Sequence, residues 1–141
     1  MCHPVFVSNH CFLVTFFDAY ISAGFPSPAA DHIEKKIDLN EHLMLNKDAS
    51  FIFRVRGKSM LGIGIYPGDT VIVDRSITPR HNHIVLAVVD GEYTIKRLSV
   101  QKGVVRLIAE NPDFGPIELE KEQTLSIWGV VTKNLRCLLN Y

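Results

Sequence analysis

From Phe51 onward, apolar and polar positions alternate. Phe51, Phe53 and Val55 interleave with Ile52, Arg54 and Arg56, the period-two pattern of a half-buried strand. Gly57-Lys-Ser-Met60 interrupts it. After the turn signal Pro67-Gly-Asp69, Val71-Ile-Val73 reads as a short buried strand. Ile84 to Val89 and Glu92 to Leu98 flank Asp90-Gly91, the dipeptide of a tight hairpin. Val104 to Ala109, Ile117 to Leu119 and Leu125 to Val131 continue the series. Strand after strand with short connections predicts a mostly β domain with a curled or barrel-like sheet.

The N-terminal part follows another pattern. Residues 1 to about 30 carry Asp18 as their only charge before Asp31, and they run through Gly24-Phe-Pro-Ser-Pro28. Two prolines at alternate positions disfavour helix, so this stretch reads as an extended arm. Ala29 to Lys36 is expected to be helical. Asp38-Leu-Asn-Glu41 resembles a capping box opening a second helix, with Leu39, Leu43 and Leu45 as its apolar face.

Composition narrows the function. The 141 residues hold fifteen basic and fifteen acidic side chains, with 47% apolar and 21% charged positions. That suits one compact domain, and it lacks the basic excess of a dedicated nucleic-acid binder. Cys2, Cys11 and Cys137 form neither an even set nor a CxxC pair, which fits a reducing compartment. Cys2, His3, His10 and Cys11 match no standard zinc spacing, and neither a metal nor another cofactor is expected. The apolar run from Cys11 to Phe17 is too short for a membrane span, and no Lys or Arg precedes Lys35 to make a signal peptide. A cytoplasmic location is expected.

The chemistry worth weighing is Ser59 with Lys96. Ser59 follows a strand at a sharp break, and a serine needs a neighbouring base to become a nucleophile. Lys96 lies mid-strand in Tyr93-Thr-Ile-Lys-Arg-Leu98. To act as that base it must be neutral near pH 7, so its pKa must fall from about 10.4 at a cost of about 4 kcal/mol. Burial beside Ile95 and Leu98 would do this. On spacing alone the pairing is weak: a serine in a turn is usually just a turn serine, and a strand lysine normally faces solvent.

Other motifs fail on their letters. Gly57-Lys-Ser59 resembles the end of a phosphate-binding loop, yet its first glycine would fall at Ile52. Gly62, Gly64 and Gly68 miss the dinucleotide fingerprint by one residue. His81 and His83 read as turn residues.

A set of ordered motifs carries a family resemblance. Ala23-Gly-Phe-Pro-Ser-Pro-Ala-Ala30, Ile37-Asp-Leu-Asn40, Gly57-Lys-Ser-Met60 and Gly68-Asp-Thr-Val-Ile-Val-Asp74 come first. Val89-Asp-Gly-Glu-Tyr-Thr-Ile-Lys-Arg-Leu98, Asn111-Pro-Asp-Phe-Gly-Pro-Ile117 and Trp128-Gly-Val-Val131 follow. Across about residues 22 to 132 the chain resembles the LexA-like Ser–Lys self-cleaving proteins, the peptidase S24 family, in its UmuD branch. The resemblance implies a LexA-like peptidase fold, with Ser59 as nucleophile and Lys96 as general base. It also implies a cut between Ala23 and Gly24, and backbone amides of Lys58 and Ser59 as the oxyanion hole. Residues 1–23 would then be a cleavable arm and residues 24–141 the Ser–Lys domain. The branch further implies a homodimer whose trimmed form serves a Y-family, UmuC-like error-prone DNA polymerase in SOS mutagenesis, with a RecA–single-stranded DNA filament stimulating cleavage.

Only 23 residues precede Gly24, and they lack basic character, so a repressor's helix-turn-helix domain is not expected. The competing reading is a non-catalytic module of the same fold, acting only as a polymerase accessory partner.

Overall fold

The structure, a computed structural model, describes residues 13–26, 28, 33–43, 46, 48–118 and 124–139. It divides into two compact units, residues 1–45 and 46–141.

The first unit is a two-stranded antiparallel ribbon with one helical turn. β1 (Leu13–Asp18) pairs with β2 (Ile33–Asp38) in a register running from Leu13 opposite Asp38 to Asp18 opposite Ile33. Helix α1 (Leu39–Leu43) follows directly, and Asp38 Oδ1 accepts from Asn40 N at 3.0 Å, satisfying an amide of its first turn. The start expected at Asp38 is therefore present; Leu45 lies outside the described residues.

The helix expected over Ala29 to Lys36 is not formed where it is described, since Ile33 to Lys36 belong to β2. Helix propensity in Glu34, Lys35 and Lys36 loses to cross-strand pairing. Lys36 Nζ donates to Thr15 Oγ1 at 2.5 Å, and the Lys35 ammonium sits 5.1 Å from the Phe16 ring centroid. Residues 29–32 lie outside the described set, as do Cys2, His3, His10 and Cys11. The arm expected to be extended carries strand β1, which the prolines further along did not signal.

The second unit is a seven-stranded antiparallel sheet. Its strands are β3 (Ser50–Arg54), β4 (Thr70–Asp74), β5 (Ile84–Val89), β6 (Glu92–Gln101), β7 (Val104–Ile108), β8 (Ile117–Glu118) and β9 (Leu125–Leu135). Their spatial order is β3-β4-β9-β5-β6-β7-β8. The mostly β expectation holds. β5–β6 turns through Asp90 and Gly91 at φ 49° and 81°, and β6–β7 through Lys102 and Gly103 at φ 50° and 75°. These are the left-handed pairs of two-residue hairpins.

The sheet curls. β3 and β6 are four strand spacings apart, about 19 Å if flat. Yet the rings of Phe53 on β3 and Tyr93 on β6 lie 6.1 Å apart. Two bulges in the interior strand β9 help produce the bend: Trp128 is an extra residue against β5, and Thr132 against β4. At Gly129 a Cβ would meet Val73 Cγ1 at 2.6 Å, so β4 and β9 approach as closely as they do only because the side chain is absent.

Both sheet faces are covered. Met60, Ile65, Val71, Val73 and Leu86 form one buried cluster, joined by Phe53, Ile95 and Trp128. Val85, Ala87, Leu98, Leu107 and Val130 form the other. Because neighbours along β5 point to opposite faces, Leu86 enters the first cluster and Val85 and Ala87 the second.

Candidate active site

Ser59 occupies a turn fixed from both sides. After β3, Val55 N donates to Asp69 O at 2.8 Å and Gly68 N to Val55 O at 2.9 Å, which ties the departing chain to the turn before β4. Gly57 then adopts φ 90°, where any side chain would be strained. Met60, 3% exposed, and Ile65 plunge into the first cluster on either side of a short 3₁₀ turn, Leu61–Ile63. Between the left-handed Gly57 and the anchored Met60, Ser59 has little freedom, and the residue stays partly accessible.

Lys96 lies on β6 directly opposite Val85 of β5 and is buried. Its Nζ is 3.0 Å from Ser59 Oγ, 2.7 Å from Thr94 Oγ1 and 3.1 Å from Ile95 O. Among the described residues no carboxylate pairs with it. Burial pushes its pKa down from the ordinary lysine value, with nothing acidic to hold the proton. A neutral amine fits these neighbours. It has two N–H bonds to give, to Thr94 Oγ1 and Ile95 O, and one lone pair that can accept the Ser59 hydroxyl proton.

A cleft of about 210 Å³ opens beside Ser59. Gly57, Thr94 and Ile95 border it, and Phe53, Val55, Leu86 and Tyr93 make much of the wall apolar. Arg54 and Arg56 also line it, so the cleft offers an apolar wall for small or aliphatic side chains beside cationic groups and no anionic one.

In the first unit, Ala23 and Gly24 are exposed in a bend between β1 and β2. Gly24 N donates to Ser22 Oγ at 3.3 Å, and Ser22 Oγ donates to Phe25 O. Tyr20, Ile21 and Phe25 around the bond are almost fully exposed.

Comparison with known proteins decides the family. The family described as Peptidase S24-like matches residues 15–132. The chain belongs to the peptidase S24-like family. Protein ImpA of Escherichia coli is 40% identical over 111 residues, covering 78% of this chain and 74% of that protein. Protein MucA of Salmonella typhimurium is 37% identical over 123 residues, covering 86% and 84%. The LexA repressor of Ectopseudomonas mendocina is 42% identical over 103 residues, covering 73% of this chain and half of the repressor. Membership with UmuD-like and LexA relatives supports a serine-type, self-cleaving peptidase in general. Among the described residues no helix is long and apolar enough to cross a membrane.

Other contacts that sequence reasoning missed hold the turn that carries Ser59. Asp69 is buried and accepts from Tyr66 N at 2.8 Å, Asn134 Nδ2 at 2.9 Å, and Arg136 Nε and a terminal nitrogen at 2.8 and 2.6 Å. The Arg136 hydrogen bonds hold its carboxyl well below the usual carboxylate range, against the opposing effect of burial. Arg136 also stacks 4.1 Å from the Tyr66 ring and donates to Gly64 O at 2.5 Å. The end of β9 and the residue after it thereby clamp residues 64–69, just past Ser59. His81 and His83 are turn residues, accepting from Val100 N and Arg80 N through Nδ1.

Proposed function

We propose that the chain cuts itself between Ala23 and Gly24, with Ser59 as nucleophile, Lys96 as general base, and the amides of Lys58 and Ser59 as oxyanion donors. The supporting observation is the 3.0 Å separation of Lys96 Nζ from Ser59 Oγ at a buried amine with no acidic partner among the described residues. Neutral Lys96 takes the hydroxyl proton as Ser59 Oγ attacks the Ala23 carbonyl carbon. The carbonyl oxygen becomes an oxyanion, which the two amides stabilise by about 3 kcal/mol each. Collapse breaks the C–N bond, and the proton on Lys96 passes to the leaving Gly24 amine. An ester between Ser59 and Ala23 remains. Lys96 then deprotonates a water that hydrolyses it, freeing the Ala23 carboxylate and restoring Ser59.

Small residues at the bond suit the apolar cleft. Tethering substrate to enzyme supplies a high effective concentration, so a base with a costly neutral state suffices for one turnover per chain. On this reading residues 1–23 are the removable arm and residues 24–141 the product. By likeness to the UmuD-like relatives, the product serves as a homodimeric, cytoplasmic subunit of an error-prone Y-family DNA polymerase in the SOS response, and a RecA–DNA filament promotes the cut. Purified protein held at raised pH should release a fragment beginning at Gly24, read by intact mass. Ser59→Ala and Lys96→Ala should remain full length under the same conditions. Trimming at that bond in both variants would sink the mechanism.

A further inference from the structure

The loop after β7 touches the nucleophile turn in two places. Gly62 N donates to Glu110 O at 2.6 Å, and Asn111 Nδ2 donates to Lys58 O at 2.8 Å. The closeness of the first contact depends on Gly62 lacking a side chain, for a Cβ there would lie 2.4 Å from Glu110 O. Asn111 is itself held: its Oδ1 accepts from Asp113 N and its carbonyl from Phe114 N, each at 3.0 Å. These contacts fix which end of the Asn111 amide faces Lys58. Among the described residues, the Lys58 carbonyl has, apart from Asn111, only a long turn contact, 3.4 Å from Leu61 N.

A peptide unit is planar and trans, so its C=O and N–H point in opposite directions. Gripping the Lys58 carbonyl therefore aims the Ser59 N–H. Gly57 and Ser59 line the cleft, and Asn111 is not among its lining residues. Among the described residues, Ser59 N donates to no acceptor within the chain. We propose that Asn111 is a positioning residue for the oxyanion site, holding the Lys58–Ser59 peptide with its N–H turned to where the Ala23 carbonyl oxygen gains charge. This deepens the Ser59–Lys96 reading and rests on it. Hydrogen bonds in series also polarise one another, so the grip makes the Ser59 N–H a better donor.

Two substitutions in the full-length protein test this. Asn111→Asp keeps the acceptor for Asp113 N and sets a carboxylate oxygen against the Lys58 carbonyl; Asn111→Ala removes both contacts. Release of the Gly24 fragment is followed by intact mass from neutral to alkaline pH. Both variants should lower the alkaline plateau rate about tenfold to a hundredfold, short of the cost of deleting a donor outright. The pH midpoint, set by Lys96, should stay where it is in the wild type, and the Ser59 amide proton resonance should shift upfield. A wild-type plateau in Asn111→Asp overturns the proposal, as does a rate loss with a moved midpoint and an unmoved Ser59 resonance. Should either variant unfold, the wild type decides: scalar coupling across the Asn111 Nδ2–H to Lys58 carbonyl bond is expected, and its absence overturns the proposal. A wild type that never yields the fragment would sink the self-cleavage reading instead, while the resonance and coupling still report on Asn111.

Discussion

The ribbon of β1 and β2 and the seven-stranded sheet are built from the same kind of hairpin pairing, yet they spend it differently. In the ribbon no described side chain is fully buried, and Leu13, Phe17 and Ile33 are more than half exposed. In the sheet both faces are packed, and Val71, Val73, Val85, Ala87 and Leu107 have no accessible surface. A two-stranded ribbon without a core is marginal by itself, whereas the doubly covered sheet is a rigid scaffold. The proposed substrate bond sits in the first and the proposed base in the second. Chemistry that needs a desolvated amine belongs in the part that can keep water out, and the segment to be cut belongs in the part that can be remodelled.

The comparison breaks hardest at Lys96. Lys96→Met should abolish self-cleavage, a loss of more than about a thousandfold. It should also stabilise the sheet unit by about 1 to 3 kcal/mol at pH 7, because a buried amine is replaced by an apolar chain of similar length. Urea unfolding and intact mass on one sample read both effects, and a destabilised Lys96→Met would contradict the packing argument. The pH dependence follows from the same group. Its lowered pKa in the fold means that the unfolded chain binds more protons between the folded and unfolded values. Both wild-type stability and cleavage should therefore rise with pH through that window, and Lys96→Met should flatten the stability contribution.

Next in size is Gly62→Ala, which sets a Cβ against a backbone carbonyl. It should cost about 2 kcal/mol of sheet stability and slow the proposed cleavage as the Ser59 turn is pushed from the Glu110–Asn111 loop. Asp69→Asn should cost about 2 kcal/mol through its weakened bonds to Arg136. Because the folded carboxyl titrates below its unfolded value of about 3.9, its contribution is present above that pH and lost as pH falls through the folded value. The variant should thus lose part of the wild type's acid sensitivity, read by urea midpoints across acidic pH. The smallest effect belongs to the ribbon: Thr15→Ala removes the Lys36 bond and should change global unfolding by less than about 0.5 kcal/mol. Hydrogen exchange should show residues 13–18 and 33–38 opening well before β4, β5 and β9; equal protection would erase the contrast between the units.

What could be read along the chain was what local chemistry decides. Asp90-Gly91 needs two left-handed residues, and Val71-Ile-Val73 has no polar face to expose, so both were visible in the letters. Glu34, Lys35 and Lys36 favour helix locally, and their strand assignment comes from a partner about twenty positions away, which propensity cannot register. Ser59 and Lys96 stood out as residue types in suitable settings, but their meeting across 37 positions depends on the curl of the sheet, which two bulges in β9 help to produce. Arg136 closing on Asp69 spans 67 positions, and Asn111 reaching Lys58 spans 53. Neither leaves a periodicity or a spacing to find. Asn111 opens the Asn111-Pro-Asp-Phe-Gly-Pro-Ile117 motif, where the one usable hint is a polar side chain at the start of a turn.

The bend that holds Ala23 and Gly24 lies between β1 and β2 along the chain, and this would give the proposed cut a direction. While the bend is intact, the two strands find each other at the concentration set by a short tether. Once it opens, β1 becomes a separate peptide held by the six residue pairs of one register, and dilution alone then favours its departure. Hydrolysis at the proposed bond would thereby act as a ratchet: the reverse step would first have to recapture a free strand from solution.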